Sequence, residues 1–310
     1  MAKAVFIDRH GGPEVFRIAA HDTGPPGPGQ VLVRHDAIGL NFIDIYQRKG
    51  LYPLALPAIL GGEAAGTVEA AGKGVDTFVP GNRVAYLAAG GAYADAALAP
   101  AAMAVKLPDG IDATTAAASL LKGLTVQMLV RQVFPLGPDK SALVYAAAGG
   151  VGSLLCQWAN HLGARVIAVV GSKEKAERVK AYGVKDIIVR TETDDIAGAA
   201  RSITGGRGVD VVYDSVGAAT FEASLDSLAL RGMMVSYGNA SGPVPPFAPL
   251  ELSRRGSLSL IRPSLFHYAT PDALPAMAEE LFSLLGSGVI RVDIGGRFPL
   301  AEIAEAHRLL

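Results

Sequence analysis

Hydrophobic and polar positions in the first third of the chain alternate in short runs broken by glycine and proline. Residues 4–7 form a brief apolar run that His10-Gly11-Gly12-Pro13 ends as a turn. Residues 23–29 read TGPPGPG, which is excluded from a helix interior because proline removes donors and glycine adds chain entropy. Residues 30–38 follow as a strand, 61–72 as a glycine-punctuated strand region, and 83–87 as an apolar strand entered through the turn Pro80-Gly81-Asn82. Short strands at this spacing predict a small barrel or sandwich. The pattern changes near Asp112. Residues 112–136 carry apolar positions at helical spacing, and from there strands and helices alternate strictly. The predicted strands are 142–146, 165–170, 186–189, 209–213 and 232–237, and the helices between them 151–162, 173–182, 194–204 and 219–228. Continuous apolar strands alternating with helices predict a doubly wound parallel sheet covered on both faces. From about Ser253 the pattern is mixed again and is expected to rejoin the first domain.

Composition narrows the class. At 310 residues the chain suits about two domains, and 50% hydrophobic with 18% charged residues excludes a disordered chain. Lys and Arg total 28 against 29 Asp and Glu, with no basic run, so no nucleic-acid partner is expected. The single cysteine, Cys156, forms no internal disulfide and fits a reducing, cytoplasmic compartment. The start MAKAVFIDRHGG lacks an apolar core followed by a cleavage site, so no signal peptide is expected. Without 18 consecutive apolar residues, no membrane partner is expected either.

Glycine is abundant, 37 residues, and its placement points to chemistry. After the strand 142–146 comes Ala147-Ala148-Gly149-Gly150-Val151-Gly152, followed by an amphipathic helix. Small residues there let backbone N–H groups approach a pyrophosphate, and a helix N-terminus adds favourable partial charge. Such a run by itself also describes an ordinary strand-to-helix turn, but a strand before, a helix after and a second strand ending at Val170 meet the context test for dinucleotide binding. An NAD enzyme places an acid at the end of that second strand. Here the sequence is Val170-Gly171-Ser172-Lys173-Glu174-Lys175. Lys173, Lys175 and Arg190, at the end of the third strand, could surround a 2′-phosphate, which favours NADPH; a solvated helix start of mixed charge is the competing reading.

Nothing in the sequence has metal-ligand spacing. The histidines His10, His21, His35, His161, His267 and His307 are scattered, and Cys156 is best read as a small buried hydrophobe. No Gly-x-Ser-x-Gly elbow is present. The chemistry is therefore expected from the cofactor, with no metal.

The motifs Asn41-Phe42-Ile43-Asp44, Gly61-Gly62-Glu63-Ala64-Ala65-Gly66, Leu121-Lys122-Gly123-Leu124-Thr125, residues 146–152, Asp214-Ser215-Val216-Gly217 and Arg262-Pro263-Ser264-Leu265 occur in this order. The chain in this respect resembles the zeta-crystallin-like, zinc-free NADPH:quinone oxidoreductases of the medium-chain dehydrogenase/reductase superfamily. The resemblance implies an α/β fold: a Rossmann doubly wound sheet (residues 122–254) plus a GroES-like β-barrel catalytic domain (1–121 and 255–310), with the active site in the cleft between them. Related zinc dehydrogenases carry Cys at the position of Asn41 and His at that of Gly62, which agrees with the missing metal signature.

The resemblance also implies roles for individual residues. Asn41 and Tyr46 would lie near the nicotinamide and the substrate, and Tyr52 would line the quinone pocket. Thr125 would contact the nicotinamide end of NADPH. Gly149, Gly150, Val151 and Gly152 would hold the pyrophosphate. Gly171, Ser172, Lys175 and Arg190 would surround the adenosine ribose phosphate, and Gly238 and Asn239 would edge the nicotinamide ribose. Many family members carry a tyrosine where this chain has Arg190, and they usually continue past the position of Leu310 with a basic turn and a final strand. The expected activity is NADPH-dependent reduction of a small-molecule quinone by a cytoplasmic homodimer. Two alternatives remain open at this point. One is reduction of an activated C=C bond in an enone or enoyl thioester; the other is a crystallin-like protein that binds NADPH as a structural ligand.

Overall fold

The computed structural model describes residues 2–310. The first part of the chain is antiparallel. Strands β1 (Ala2–Ile7), β2 (Phe16–His21) and β4 (Ala58–Ile59) form a three-stranded sheet in the order β2-β1-β4. Strands β3 (Gln30–Ile38), β5 (Glu63–Ala71), β6 (Arg83–Leu87), β7 (Ala96–Pro100) and β8 (Ala104–Lys106) form a five-stranded sheet in the order β7-β3-β5-β6-β8. An antiparallel bridge between Ala4 and Ala94 and the bond from Val5 N–H to Tyr93 O (2.8 Å) stitch the two together. Each sheet buries its own cluster of side chains: Val31, Val33, Val68, Val84 and Tyr86 in the five-stranded sheet, and Val5, Ile7, Leu60 and Tyr93 around the three-stranded one.

The segment from Asn41 to Tyr52, between the predicted strands 30–38 and 61–72, begins with the helix α1 (Phe42–Lys49). Asn41 is its N-cap, Asp44 completes a capping box, and Gly50 closes it with φ 80°, the left-handed conformation that suits glycine after a helix.

Helix α2 (Ala113–Gln127) continues without a break as a π-helical turn, Met128–Val133. Together they are long and apolar enough to cross a membrane by length and composition, yet 67% of the apolar window is buried inside the protein, as in a core helix.

The second unit holds a six-stranded parallel sheet. Its strands are β9 (Ser141–Val144), β10 (Arg165–Val170), β11 (Asp186–Val189), β12 (Val209–Asp214), β13 (Leu228–Ser236) and β14 (Ser259–Ile261), in the order β11-β10-β9-β12-β13-β14. Every neighbouring pair is parallel. The connecting helices are α3 (Gly150–His161), α4 (Lys173–Lys180), α5 (Ile196–Ile203), α6 (Phe221–Asp226) and α7 (Leu250–Arg254). The order reverses between β9 and β12, which makes the carboxyl end of β9 the topological switch point where α/β sheets bind ligands. Strand β9 stops at Val144 rather than at residue 146, because Ala146 turns into the left-handed region with φ 48°.

Helices α8 (Leu274–Gly286) and α9 (Ile303–Leu309) complete the chain. One compact unit comprises residues up to Leu121, Thr270–Gly286 and Val292–Leu310; the other comprises Lys122–Ala269 and Ser287–Arg291. The return to the first unit therefore comes at Thr270, later than the expected 255, because β14 adds to the parallel sheet beside β13.

Candidate active site

The predicted residues fall into two groups, one in each unit. In the first unit, Gly39 N–H bonds Glu63 O (3.2 Å), which draws the ends of β3 and β5 together. Only glycine fits at position 39, since a Cβ there would overlap the Glu63 side chain and the Ala117 carbonyl oxygen. This approach brings Asn41 against Glu63. Asn41 Nδ2 donates to Glu63 Oε1 (2.8 Å), while Glu63 Oε2 accepts the Leu121 N–H (2.7 Å). Asn41 is 5% exposed and Glu63 fully buried. The Asn41 N–H in turn donates to Asp44 Oδ2 (2.8 Å). The Asn41 amide is thus held on a rigid helix start, with one of its two Nδ2 hydrogens committed to Glu63.

One turn further on, Tyr46 stands between two other rings. Its centroid lies 5.7 Å from that of Phe42 and 5.2 Å from that of Tyr52. Phe42, exposed at the helix start, was not singled out by sequence reasoning. Its signal was its place directly after the N-cap asparagine.

In the second unit, a glycine-rich turn joins β9 to α3. Gly149 is the N-cap of α3 and brings no side chain to cap it, so the first backbone N–H groups of the helix are left for an incoming anion. Gly149 N–H bonds Ala146 O (2.8 Å), tightening the turn. At Gly152 a Cβ would overlap that same carbonyl oxygen, so glycine is what lets α3 pack against β9. The Lys122 stem lies across the same turn: a Cβ on Gly150 would sit 3.0 Å from Lys122 Cδ and Cε. Sequence reasoning quoted Lys122 within a motif and gave it no role. Thr125, one turn along α2 from it, is 9% exposed.

Gly171 follows β10 directly. Ser172 caps α4, its Oγ accepting the Lys175 N–H (3.4 Å), and Arg190 N–H bonds Val170 O (2.9 Å). Gly171, Ser172, Lys175 and Arg190 are thereby gathered at the carboxyl end of β10. Lys173, by contrast, is paired with Glu192 (2.9 Å) at the exposed surface. Lys175 and Arg190 have no carboxylate partner among the described residues.

Gly238 and Asn239 lie just beyond β13, organised by Arg262. Its Nη1 donates to Gly238 O (2.8 Å) and to Ser236 Oγ (3.0 Å). With the Asn239 amide oriented to satisfy both its ends, its oxygen accepts from Arg262 Nη2 (3.0 Å). The fully buried Asp214 carboxylate ties the neighbouring turn: it accepts the Val216 and Gly217 N–H groups (2.7 and 3.1 Å) and the Thr220 and Ser224 hydroxyls (both 2.7 Å). A cavity of about 510 Å³ beside Asn239 and Arg262 is walled by Phe221, Val244, Phe247 and Leu260.

Among the described residues, no three His, Cys, Asp or Glu side chains cluster as ligands. Cys156 is buried in α3, where burial pushes its thiol up to about 12, so it stays an inert thiol. The donor set does fit a dinucleotide phosphate chain: an uncapped glycine-rich helix start at the switch point, and cationic side chains beside an acid-free strand end.

A Rossmann unit with this loop, joined to an antiparallel unit, defines the medium-chain dehydrogenase/reductase class. Residues 27–109 match the family described as "Alcohol dehydrogenase GroES-like domain", and residues 150–282 that described as "Zinc-binding dehydrogenase". The chain is 48% identical to "Quinone oxidoreductase" of Pseudomonas aeruginosa over 310 residues, covering 99% of this chain and 95% of that protein. It is 42% identical to "2-haloacrylate reductase" of Burkholderia sp, covering 100% of this chain and 96% of that one. The solved structure of Escherichia coli quinone oxidoreductase complexed with NADPH superposes with a TM-score of 0.96 at 44% identity, covering 99% and 95% of the two chains. This chain belongs to the quinone oxidoreductase family of the medium-chain dehydrogenase/reductase superfamily.

Proposed function

We propose that this protein is an NADPH-dependent quinone reductase that works without a metal. The observation that carries the reading is the uncapped glycine start of α3 together with the acid-free end of β10, where Ser172, Lys175 and Arg190 gather. Full-length relatives named quinone oxidoreductase, and one solved with NADPH, support it.

NADPH, when bound, supplies a hydride from C4 of its nicotinamide, and a quinone is electrophilic enough to take it without Lewis-acid help. The chain's own part is binding and polarisation. Gly149, Gly150, Val151 and Gly152 offer the start of α3 to the pyrophosphate. Gly171, Ser172, Lys175 and Arg190 hold the 2′-phosphate with charge-assisted bonds. Gly238 and Asn239, braced by Arg262, edge the nicotinamide ribose, and Thr125 meets the nicotinamide end. Asn41, beside nicotinamide and acceptor, offers its second Nδ2 hydrogen to the acceptor oxygen as negative charge develops there. Tyr46 and Tyr52 line the acceptor site as the aromatic wall that also includes Phe42. The domain assignment follows the same division, a GroES-like unit for the acceptor and a Rossmann unit for the cofactor. We place the enzyme in the cytoplasm as a homodimer; its single buried thiol suits a reducing compartment, and strand β14 ends the parallel sheet as an edge a second copy can cover.

A second reading, reduction of an activated C=C bond, is favoured by the relative named 2-haloacrylate reductase. One experiment separates the readings: loss of NADPH absorbance with a panel of quinones, enones and haloacrylates. Turnover with quinones above the other acceptors is expected. Preference for an activated alkene selects the second reading, and binding of NADPH without turnover by any acceptor leaves a structural, crystallin-like role.

A further inference from the structure

Helix α1 is anchored by a buried chain of polar groups that runs from Arg48 through His307 and Tyr93 back to Asp44. Arg48 Nη1 lies 2.8 Å from His307 Nδ1, His307 Nε2 lies 3.0 Å from Tyr93 Oη, and Tyr93 Oη lies 2.9 Å from Asp44 Oδ2. Arg48, His307, Tyr93 and Asp44 are all buried. Asp44 Oδ2 is also the atom that accepts the Asn41 N–H (2.8 Å).

The proton positions along this chain follow from the chemistry of one end. A guanidinium only donates, so His307 Nδ1 must be the acceptor and the imidazole must carry its proton on Nε2. Nε2–H then donates to Tyr93 Oη. The one Tyr93 proton is thereby directed to Asp44. Burial and the Arg48 charge push the His307 imidazole down to about 4, which keeps it in this neutral form. The Phe16 ring, edge-on to the imidazole with centroids 4.7 Å apart, holds its plane.

We infer that His307 is a positioning residue for Asn41: it fixes the Tyr93 proton on Asp44, and Asp44 fixes the N-cap whose amide serves the acceptor. The inference rests on the assignment of Asn41 above. With an apolar side chain at 307, Tyr93 Oη loses the donor that orients it, and its bond to Asp44 is less firmly directed. The capping box then loosens, and with it the angle at which the Asn41 amide leaves Glu63. The effect belongs in turnover rather than in cofactor affinity, because the groups assigned to NADPH phosphates lie in the other unit.

The test compares His307→Leu, His307→Gln, Tyr93→Phe and the double variant Tyr93→Phe/His307→Leu. Each is measured for kcat and KM with a quinone, for NADPH affinity by fluorescence, and for thermal stability. Tyr93→Phe and His307→Leu are each expected to lower kcat about tenfold, since small misplacements of a reacting group cost rate steeply, with NADPH affinity changed less than about twofold. The double variant should be no worse than either single one, as for members of one chain. Glutamine at 307 can present oxygen to Arg48 and N–H to Tyr93, and should restore kcat to within about threefold of the parent protein. Tyr93→Phe keeps the ring and decides the matter if His307→Leu does not fold. Wild-type kcat in Tyr93→Phe, losses that multiply in the double variant, or a glutamine variant as impaired as the leucine one each overturn the inference. A parent protein that turns over no acceptor overturns the functional reading itself, and this inference with it.

Discussion

The side-chain amide of Asn41 donates to the buried carboxylate of Glu63 across 2.8 Å. The contact joins the start of α1 to the first residue of β5. It leaves the second amide hydrogen of Asn41 uncommitted, and it gives the fully buried Glu63 carboxylate a donor. Removing either partner leaves the other buried without its hydrogen bond, and on the proposed role of Asn41 it is expected to lower turnover as well.

For Asn41→Ala we expect turnover with a quinone to fall about 10²- to 10³-fold if the amide acts mainly on the transition state. Tyr46→Phe should fall less, since its ring is retained. Glu63→Gln is expected to lose stability as well: one amide oxygen cannot replace two carboxylate acceptors, so either Asn41 Nδ2 or the Leu121 N–H is left unpaired at a cost of about 1–3 kcal/mol. Steady-state kinetics beside thermal denaturation separate the two effects. Wild-type turnover in both Asn41→Ala and Tyr46→Phe would show this region to be structural.

Cofactor choice should depend on the group at the end of β10. Each charge-assisted contact with a 2′-phosphate is worth about 1.5–3 kcal/mol, or roughly ten- to a hundredfold in affinity. Lys175→Ala and Arg190→Ala are expected to weaken NADPH far more than NADH. Lys173→Ala should change little, because Lys173 is an exposed partner of Glu192. Isothermal titration with both cofactors measures this, and equal losses for NADPH and NADH would contradict it.

Full activity is expected after exhaustive chelation, since no three His, Cys, Asp or Glu side chains cluster as ligands among the described residues and the family resemblance puts Asn41 and Gly62 where zinc dehydrogenases carry ligands. Elemental analysis of the purified active enzyme is the check. Stoichiometric zinc lost together with activity would overturn the metal-free mechanism.

Stability should depend on pH through His307. Its folded value of about 4 lies below the ordinary 6.5 because burial, and then the Arg48 charge, disfavour the imidazolium. The unfolded chain thus binds this proton more tightly than the folded one. The contribution is complete above pH 6.5 and is lost as pH falls from 6.5 toward 4, on the order of 3 kcal/mol. Arg48, Tyr93 and, beyond it, Asp44 are the charged or titratable groups along this chain. Burial also lowers His35 and adds a trend of the same sign. The difference between wild-type and His307→Gln melting temperatures over that range isolates His307; parallel curves would argue against the assignment.

Gly152→Ala should destabilise the fold by about 1–3 kcal/mol, the usual cost of overpacking, because its Cβ overlaps the Ala146 carbonyl oxygen. NADPH affinity should fall with it, since α3 must shift. Melting curves with and without NADPH report both effects.

Much of the Rossmann unit was legible in the sequence. Its strands are buried on both faces, so they read as unbroken apolar runs, and the turn between β9 and α3 has to be small whatever surrounds it. The acid-free end of β10 and the absence of metal-ligand spacing could be read the same way, because each is a statement about a few adjacent residues. Helix α1 was also written locally, in Asn41, Asp44 and Gly50, but eight residues in a glycine- and proline-rich setting give too few turns for periodicity to stand out. Strand β14 is three residues long, and only its pairing with β13 shows that the chain returns to the first unit at Thr270 rather than at 255. The partners of the site residues belong to the tertiary structure alone. Asn41 and Glu63 lie 22 positions apart, and Arg48 and His307 lie 259 apart. Strand and helix signals arise from neighbours a few residues away; a buried amide or imidazole takes whichever donor or acceptor the closed chain brings to it, and no local pattern records which one that is.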